Sequence, residues 1–324
     1  GGGVQRILPS SVLPPITEKA TIDATTQPGY STRPLIEIVG ALATPTGLEF
    51  AAGSDSSEVM GISIYGFSER AILLGSNDVT IRRSHIGTDS TGTTAGQTQR
   101  YGVVVRGSQN QIGITASGNL ISQNTGAGIR IEGAAATTNL VRGNTIGFDL
   151  DDQPIFPKTE TGIQIIDGAS NNTIGGDTVA DGNNVTAEDA AIEMTRGSND
   201  NVVTRNFLVL SQVGVLILNS SRNRIGGENI SEVDAEGNSF DANKVGVLIE
   251  EEQAARKWLP GRSVAPTTEH VNTAAGARNS QNKVFGNAFA VLDPEDAWKE
   301  STGIVVNFAD DTLVGNGTDR SANL

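Results

Sequence analysis

The chain of 324 residues contains no cysteine. That excludes disulfide staples and thiolate metal sites, and it fits a location on either side of a membrane, so compartment is not decided by it. Histidine is nearly missing too. Its two copies, His85 and His270, have no Ser, Cys or metal-ligand partner at a catalytic spacing. Basic charge is scarce: 23 Lys and Arg face 37 Asp and Glu, for a net charge of −14. An electrostatic grip on nucleic acid or on an anionic bilayer needs a basic stripe, and this balance argues against both partners. No apolar run approaches the length of a membrane span, so membrane insertion is not expected. Aromatics make up only 4%, which leaves a core to be built from Ile, Val and Leu.

What is plentiful is glycine, at 39 residues, and asparagine at regular intervals. Asn77, Asn139 and Asn201 each open a strand-like stretch and stand 62 residues apart; Asn110 and Asn172 repeat the same step. Three short strand signals recur in fixed order. The first is a small residue before branched apolar ones, as in Gly128-Ile-Arg-Ile, Gly162-Ile-Gln-Ile and Gly246-Val-Leu-Ile. The second opens at Asn110, Asn139, Asn172, Asn201 and Asn223, and the third at Asn119, Asn144, Asn184, Asn206 and Asn238.

Three strands wound in one direction per turn predict an all-β parallel β-helix, a solenoid of about eight to nine turns spaced by roughly 4.8 Å. Residues 1–60 form its front portion and 61–324 its repeats, with an insertion at 250–281, as one continuous domain of a longer protein. The second and fourth positions of the first strand face inward and alternate with a variable outward one. The leading Gly provides a corner by positive φ or close backbone approach. The asparagines satisfy backbone groups at the other corners by stacking amide on amide. Two turns of unequal build make up the 62-residue unit, so long loops leave a given corner together and at intervals.

The stretches Asn172-Thr-Ile-Gly-Gly, Gly118-Asn-Leu-Ile-Ser-Gln-Asn124 and His85-Ile-Gly-Thr-Asp89 resemble the bacterial right-handed parallel β-helix repeat proteins, as do Leu13-Pro-Pro-Ile-Thr17 and Thr26-Gln-Pro-Gly-Tyr30 near the front. The resemblance implies a right-handed helix and an extracellular or cell-surface location. It leaves the activity open, since the group includes secreted and surface proteins and the wider fold includes polysaccharide lyases, hydrolases, epimerases and phage tailspikes. It also implies that the chain starts inside the family's domain, as a fragment or as a subunit whose ends meet neighbours.

A lyase of this fold class needs carboxylates around Ca²⁺ and a basic residue for proton removal. Asp89, Asp149, Asp151 and Asp152 are the carboxylates placed on one corner two turns apart; the competing reading is that each caps its own turn. The paired acids of a hydrolase are poorly matched by adjacent Asp151 and Asp152, which would diverge on a strand. Arg82 and Arg83 followed by His85 form a basic triplet suited to an acidic sugar, although a solvated edge explains it as well. The outward row of the first strand reads Val104, Arg130, Gln164, Glu193, Leu216, Leu248 and Val305. Arg130, Gln164 and Glu193 are candidates for a shallow glycan groove. Leu216, Leu248 and Val305 form an apolar stripe that needs a cover, from the insertion with Trp258 or from another subunit. The first reading is thus a non-catalytic structural, adhesive or assembly β-helix that touches glycans, partnered by other subunits or other parts of a parent chain. A Ca²⁺-dependent polysaccharide lyase and a phage or filament subunit are the alternatives.

Overall fold

A computed structural model describes residues 3–41, 44–93, 99–155, 159–227, 237–241, 243 and 245–250, together with the strands Lys283–Phe285, Ala288–Ala290, Thr302–Val306 and Leu313–Val314. Its strands form three parallel sheets of ten, nine and ten members, and each pairs with the strand one turn earlier and one turn later. The result is a right-handed parallel β-helix. The front strands Gln5–Ile7, Thr21–Asp23 and Ile36–Val39 pair into the same sheets as the repeats. One turn runs from Leu120–Ile121 in the first sheet to Asn124–Glu132 in the second and Leu140–Val141 in the third. Among the described residues the one helix is a 3-10 turn, Val179–Asp181, and no helix is long and apolar enough to cross a membrane.

The inward rows of the second sheet stack in strict register, Val103 on Ile129, Ile163, Ile192, Val215 and Val247, and Val105 on Ile131, Ile165, Met194, Ile217 and Ile249. All are fully buried in one core that also takes Ile86, Ile121, Ile146 and Val185 from the first sheet and Ile112, Val141, Ile174 and Val203 from the third. Burying one such side chain contributes about 1.5–3 kcal/mol, and every turn adds several. Parallel pairing covers the backbone polar groups, which is why short strands of two or three residues persist here.

Two of the three corners are asparagine ladders. Between second and third sheets, the backbone N–H and the side-chain amide of Asn110 donate to Oδ1 of Asn139, and the same pattern continues from Asn139 to Asn172, Asn201 and Asn223. Between third and first sheets the series is Asn119, Asn144, Asn183, Asn206 and Asn238. Every member is buried. In Asn110, Asn119, Asn144, Asn172, Asn183, Asn201 and Asn206 the amide donates both to the next rung and to a backbone carbonyl, so the ladders hold the fold together.

The ladders correct two details of the sequence reading. Asn77 is not the counterpart of Asn139: the position in register with Asn110 is Val79, whose N–H donates to Asn110 Oδ1. Asn77 stands two residues earlier, where its Oδ1 accepts from Ser108 at an exposed site, so the apparent 62-residue step from Asn77 to Asn139 is coincidental. At the other ladder the member is Asn183, and Asn184 is already the first residue of the strand Asn184–Val185. The leading glycines follow the second of the two reasons expected for them, close backbone approach. Gly102, Gly128 and Gly162 are not at positive φ; they are small because a Cβ there would lie 2.5, 2.8 and 2.5 Å from a carbonyl oxygen of the next turn. Positive φ falls instead on the glycine of each Ile-Gly pair, Gly87, Gly113, Gly147, Gly175 and Gly226.

Candidate functional site

The third corner, between first and second sheets, carries the loops that follow Ile86 and Ile146, and they shape a cleft on the outer face of the first sheet. Along that face the outward residues stack in register as Glu37, Ser63, His85, Leu120, Thr145 and Asn184. The upper part of the row is closed. Ser63 Oγ donates to the Thr88 carbonyl, and Glu37, 1% exposed, accepts from Arg6 Nε at 2.7 Å, Tyr65 Oη at 3.0 Å and the Ser90 N–H at 2.9 Å. Burial opposes ionisation of Glu37, but these donors outweigh it and hold the carboxyl below its usual range. The same desolvation, with Glu37 beside it, pushes the Tyr65 phenol up to about 12.

Below this cluster the row opens into a cleft of about 540 Å³ with His85, Leu120 and Thr145 as its floor. Residues entering the strands form one wall: Tyr30, Ser31 and Thr32 from the front segment, Arg83, and Ser117 with Gly118. Residues leaving the strands form the other, with Asp149, Leu150 and Asp152. The walls differ in charge, guanidinium on one side and carboxylates on the other. Arg83 takes a left-handed backbone, φ 53°, and its Nε donates to Ser117 Oγ at 3.2 Å, which ties it to the rim.

His85 does not lie at the solvated edge that could have explained the basic triplet. It is 4% exposed, because the Gly87–Gly92 loop turns back across it, and its Nδ1 lies 3.1 Å from the Asp89 carbonyl oxygen. A carbonyl only accepts, so Nδ1 carries the proton and Nε2 keeps its lone pair. Burial, reinforced by the charge of Arg33, pushes the imidazole below its ordinary range despite the opposing pull of Asp89. That shift favours the neutral ring. On the wall that carries Arg83, burial likewise raises the Tyr30 phenol and keeps it protonated.

The carboxylates singled out in the sequence do lie on one corner two rungs apart, since the strands starting at His85 and Thr145 flank Leu120–Ile121. Asp89 Oδ1 accepts from the Thr91 N–H and hydroxyl, and Asp149 Oδ1 from the N–H groups of Asp151 and Gln153. Each side chain caps its own turn. Asp151 is exposed, and Asp152 holds a left-handed backbone, φ 56°. Among the described residues no three His, Asp or Glu side chains come together as a metal cage.

On the second sheet Arg130, Gln164, Glu193, Leu216, Leu248 and Val305 stack in the expected order. Gln164 and Glu193 are buried, and Gln164 Nε2 donates to Glu193 Oε2 at 3.1 Å. Arg130 packs over the Tyr101 ring, 5.1 Å from its centroid, and pairs with Glu132 at 2.5 Å. This row is packed rather than an open groove. Leu216 and Leu248 are fully buried in a cluster with Ala190, Val213 and Val245, while Trp258 and the side chain of Val305 lie outside the described residues. Nothing in the linear pattern marks the open cleft, because Tyr30 enters it from a front segment 55 residues before His85. The Arg83 and His85 pair is the signal that was legible.

Solved structures share the fold at low identity. The periplasmic alginate epimerase AlgG matches with a TM-score of 0.45 and 10% identity, covering 87% of this chain and 70% of that one. The A-module of the Azotobacter vinelandii mannuronan C-5 epimerase AlgE6 gives 0.43 and 12%, covering 98% and 90%. The tailspike protein of E. coli bacteriophage HK620, in complex with a pentasaccharide, gives 0.40 and 13%, covering 94% and 53%. No curated protein matches the sequence.

A family model does match, over residues 49–258: periplasmic copper-binding protein (NosD). Copper favours thiolate, thioether and imidazole donors. The chain has no Cys and only two Met and two His. Met194 is fully buried in the core and Met60 is 7% exposed, while His85 is 4% exposed with Nδ1 engaged by a carbonyl; His270 lies outside the described residues. The described donors are dispersed and do not fit a copper centre. Because the match spans more than half of the chain, the protein belongs to the periplasmic NosD family, in agreement with the location outside the cytoplasm expected from its sequence.

Proposed function

We propose that this protein is a polysaccharide-contacting β-helix of the cell envelope, and that the cleft over His85, Leu120 and Thr145 receives the sugar chain. The observation that carries the reading is the cleft's construction. A rigid stacked floor offers one apolar side chain, Leu120, among polar ones, with Arg83 and Tyr30 on one wall and Asp149 and Asp152 on the other. Sugars present apolar faces edged by hydroxyls, and sites for such ligands combine an apolar contact with a few placed polar groups. Carboxylates accept from hydroxyl pairs; a guanidinium donates in a fork. The adhesive or assembly role inferred from the sequence is compatible with this cleft, and so is the expected partnership with other subunits or other parts of a parent chain.

Affinity electrophoresis in gels containing single polysaccharides tests the reading. Retardation by at least one glycan, weakened when Leu120→Ala and Asp152→Ala are combined, is the expected result. Unchanged mobility in every neutral and acidic glycan would remove it.

A further inference from the structure

Resting on that glycan reading, the geometry of the cleft carries one step more: we propose that it acts on 4-linked polyuronate, with His85 removing the C5 proton of a uronate residue whose carboxylate lies against Arg83. Three observations converge. The Nδ1 contact to the Asp89 carbonyl fixes the tautomer and leaves Nε2 as a bare base in the ring that floors the cleft. A guanidinium stands on the adjoining wall, where it neutralises a carboxylate and makes the carbon beside it more acidic. A phenol, Tyr30, shares that wall as a proton donor. The chain's net charge of −14 disfavours long-range attraction of a polyanion, so recognition has to be local, and Arg83, the guanidinium that lines the cleft, supplies it.

The step balances without a redox partner. Nε2 of His85 takes the C5 proton, and the C5–H electron pair becomes the C4–C5 double bond. The bond from C4 to the linking oxygen breaks, and that oxygen accepts the Tyr30 proton to become the hydroxyl of a new reducing end. Proton return from the imidazolium to the phenolate through solvent resets the site.

The full chain is incubated with mannuronan, guluronan and polygalacturonate, following both binding and the ultraviolet absorbance of the new conjugated double bond. Absorbance should rise on one polymer. General base catalysis contributes about 10²–10⁴-fold, so His85→Gln should lose a factor in that range, with folding verified by circular dichroism. Because His85 is buried, Tyr30→Phe provides a second variant that retains the ring and should lower turnover far more than affinity. A polyuronate that binds the cleft without any rise in absorbance overturns the proposal and leaves the glycan reading standing; binding of neutral glycans alone does the same. Failure of every glycan to bind removes both.

Discussion

The two asparagine corners and the loop corner are built on opposite terms. At the asparagine corners each buried amide has its donors and acceptors matched to the next turn. At the loop corner Thr88 Oγ1, both amide atoms of Gln99, Asn124 Oδ1, Thr159 Oγ1 and Thr186 Oγ1 are buried with no hydrogen-bond partner among the described residues. A buried orphan of this kind costs about 1–3 kcal/mol. Two corners are thus tied rung to rung by matched amides, and the third sends out the loops that form the carboxylate wall of the cleft. The cleft thus spans two corners: its carboxylate wall leaves the loop corner, and its Arg83 wall adjoins the ladder at Asn119.

Substitutions across the corners measure this contrast. The largest effect belongs to Gly175, at φ 95°, where a Cβ would sit 1.7 Å from the Thr204 carbonyl oxygen. Gly175→Ala should lose more than about 3 kcal/mol in urea unfolding, or fail to fold. Asn172→Ala removes the acceptor of the Asn139 N–H and amide and the donor to the Ala136 carbonyl, so its expected cost is about 3 kcal/mol. Asn77→Ala, outside the ladder, should cost well under about 1 kcal/mol. Equal costs for the two asparagines would reject the corrected register. In the opposite direction, Thr186→Val deletes an orphaned hydroxyl in a fully buried residue and should raise stability by roughly 1 kcal/mol.

A further contrast is pH-dependent. Glu37 has its folded-state pKa depressed, so it binds protons less readily folded than unfolded. The stability it contributes is present above the ordinary carboxylate range and is lost as pH falls through that range toward the lower folded value. Glu37→Gln should flatten this acid limb of a denaturation series and leave the neutral limb's slope unchanged; an acid limb as steep as the wild type's would show that Glu37 is not its source.

The sequence disclosed the stacked rungs because the inward Ile and Val rows, the Ile-Gly turns and the asparagine spacing are each local patterns repeated many times. It misplaced the ladder at Asn77 and Asn184, where a second asparagine or a two-residue offset imitates the period and only backbone register decides. The cleft was less legible. His85 reads as an outward position by alternation, and it is buried only because the following loop turns back over the sheet. Arg130, Gln164 and Glu193 fall in register as expected, yet exposure depends on what lies above them, which alternation does not encode.

The most direct test of the account is calorimetric titration of one binding glycan into the wild type and two single variants on different faces, Arg83→Ala in the cleft and Arg130→Ala on the second sheet. Affinity should fall about tenfold or more for Arg83→Ala, the loss of about 1.4 kcal/mol or more, and stay near wild type for Arg130→Ala. Loss of binding in Arg130→Ala with Arg83→Ala unaffected would contradict the assignment and move the glycan site to the second sheet.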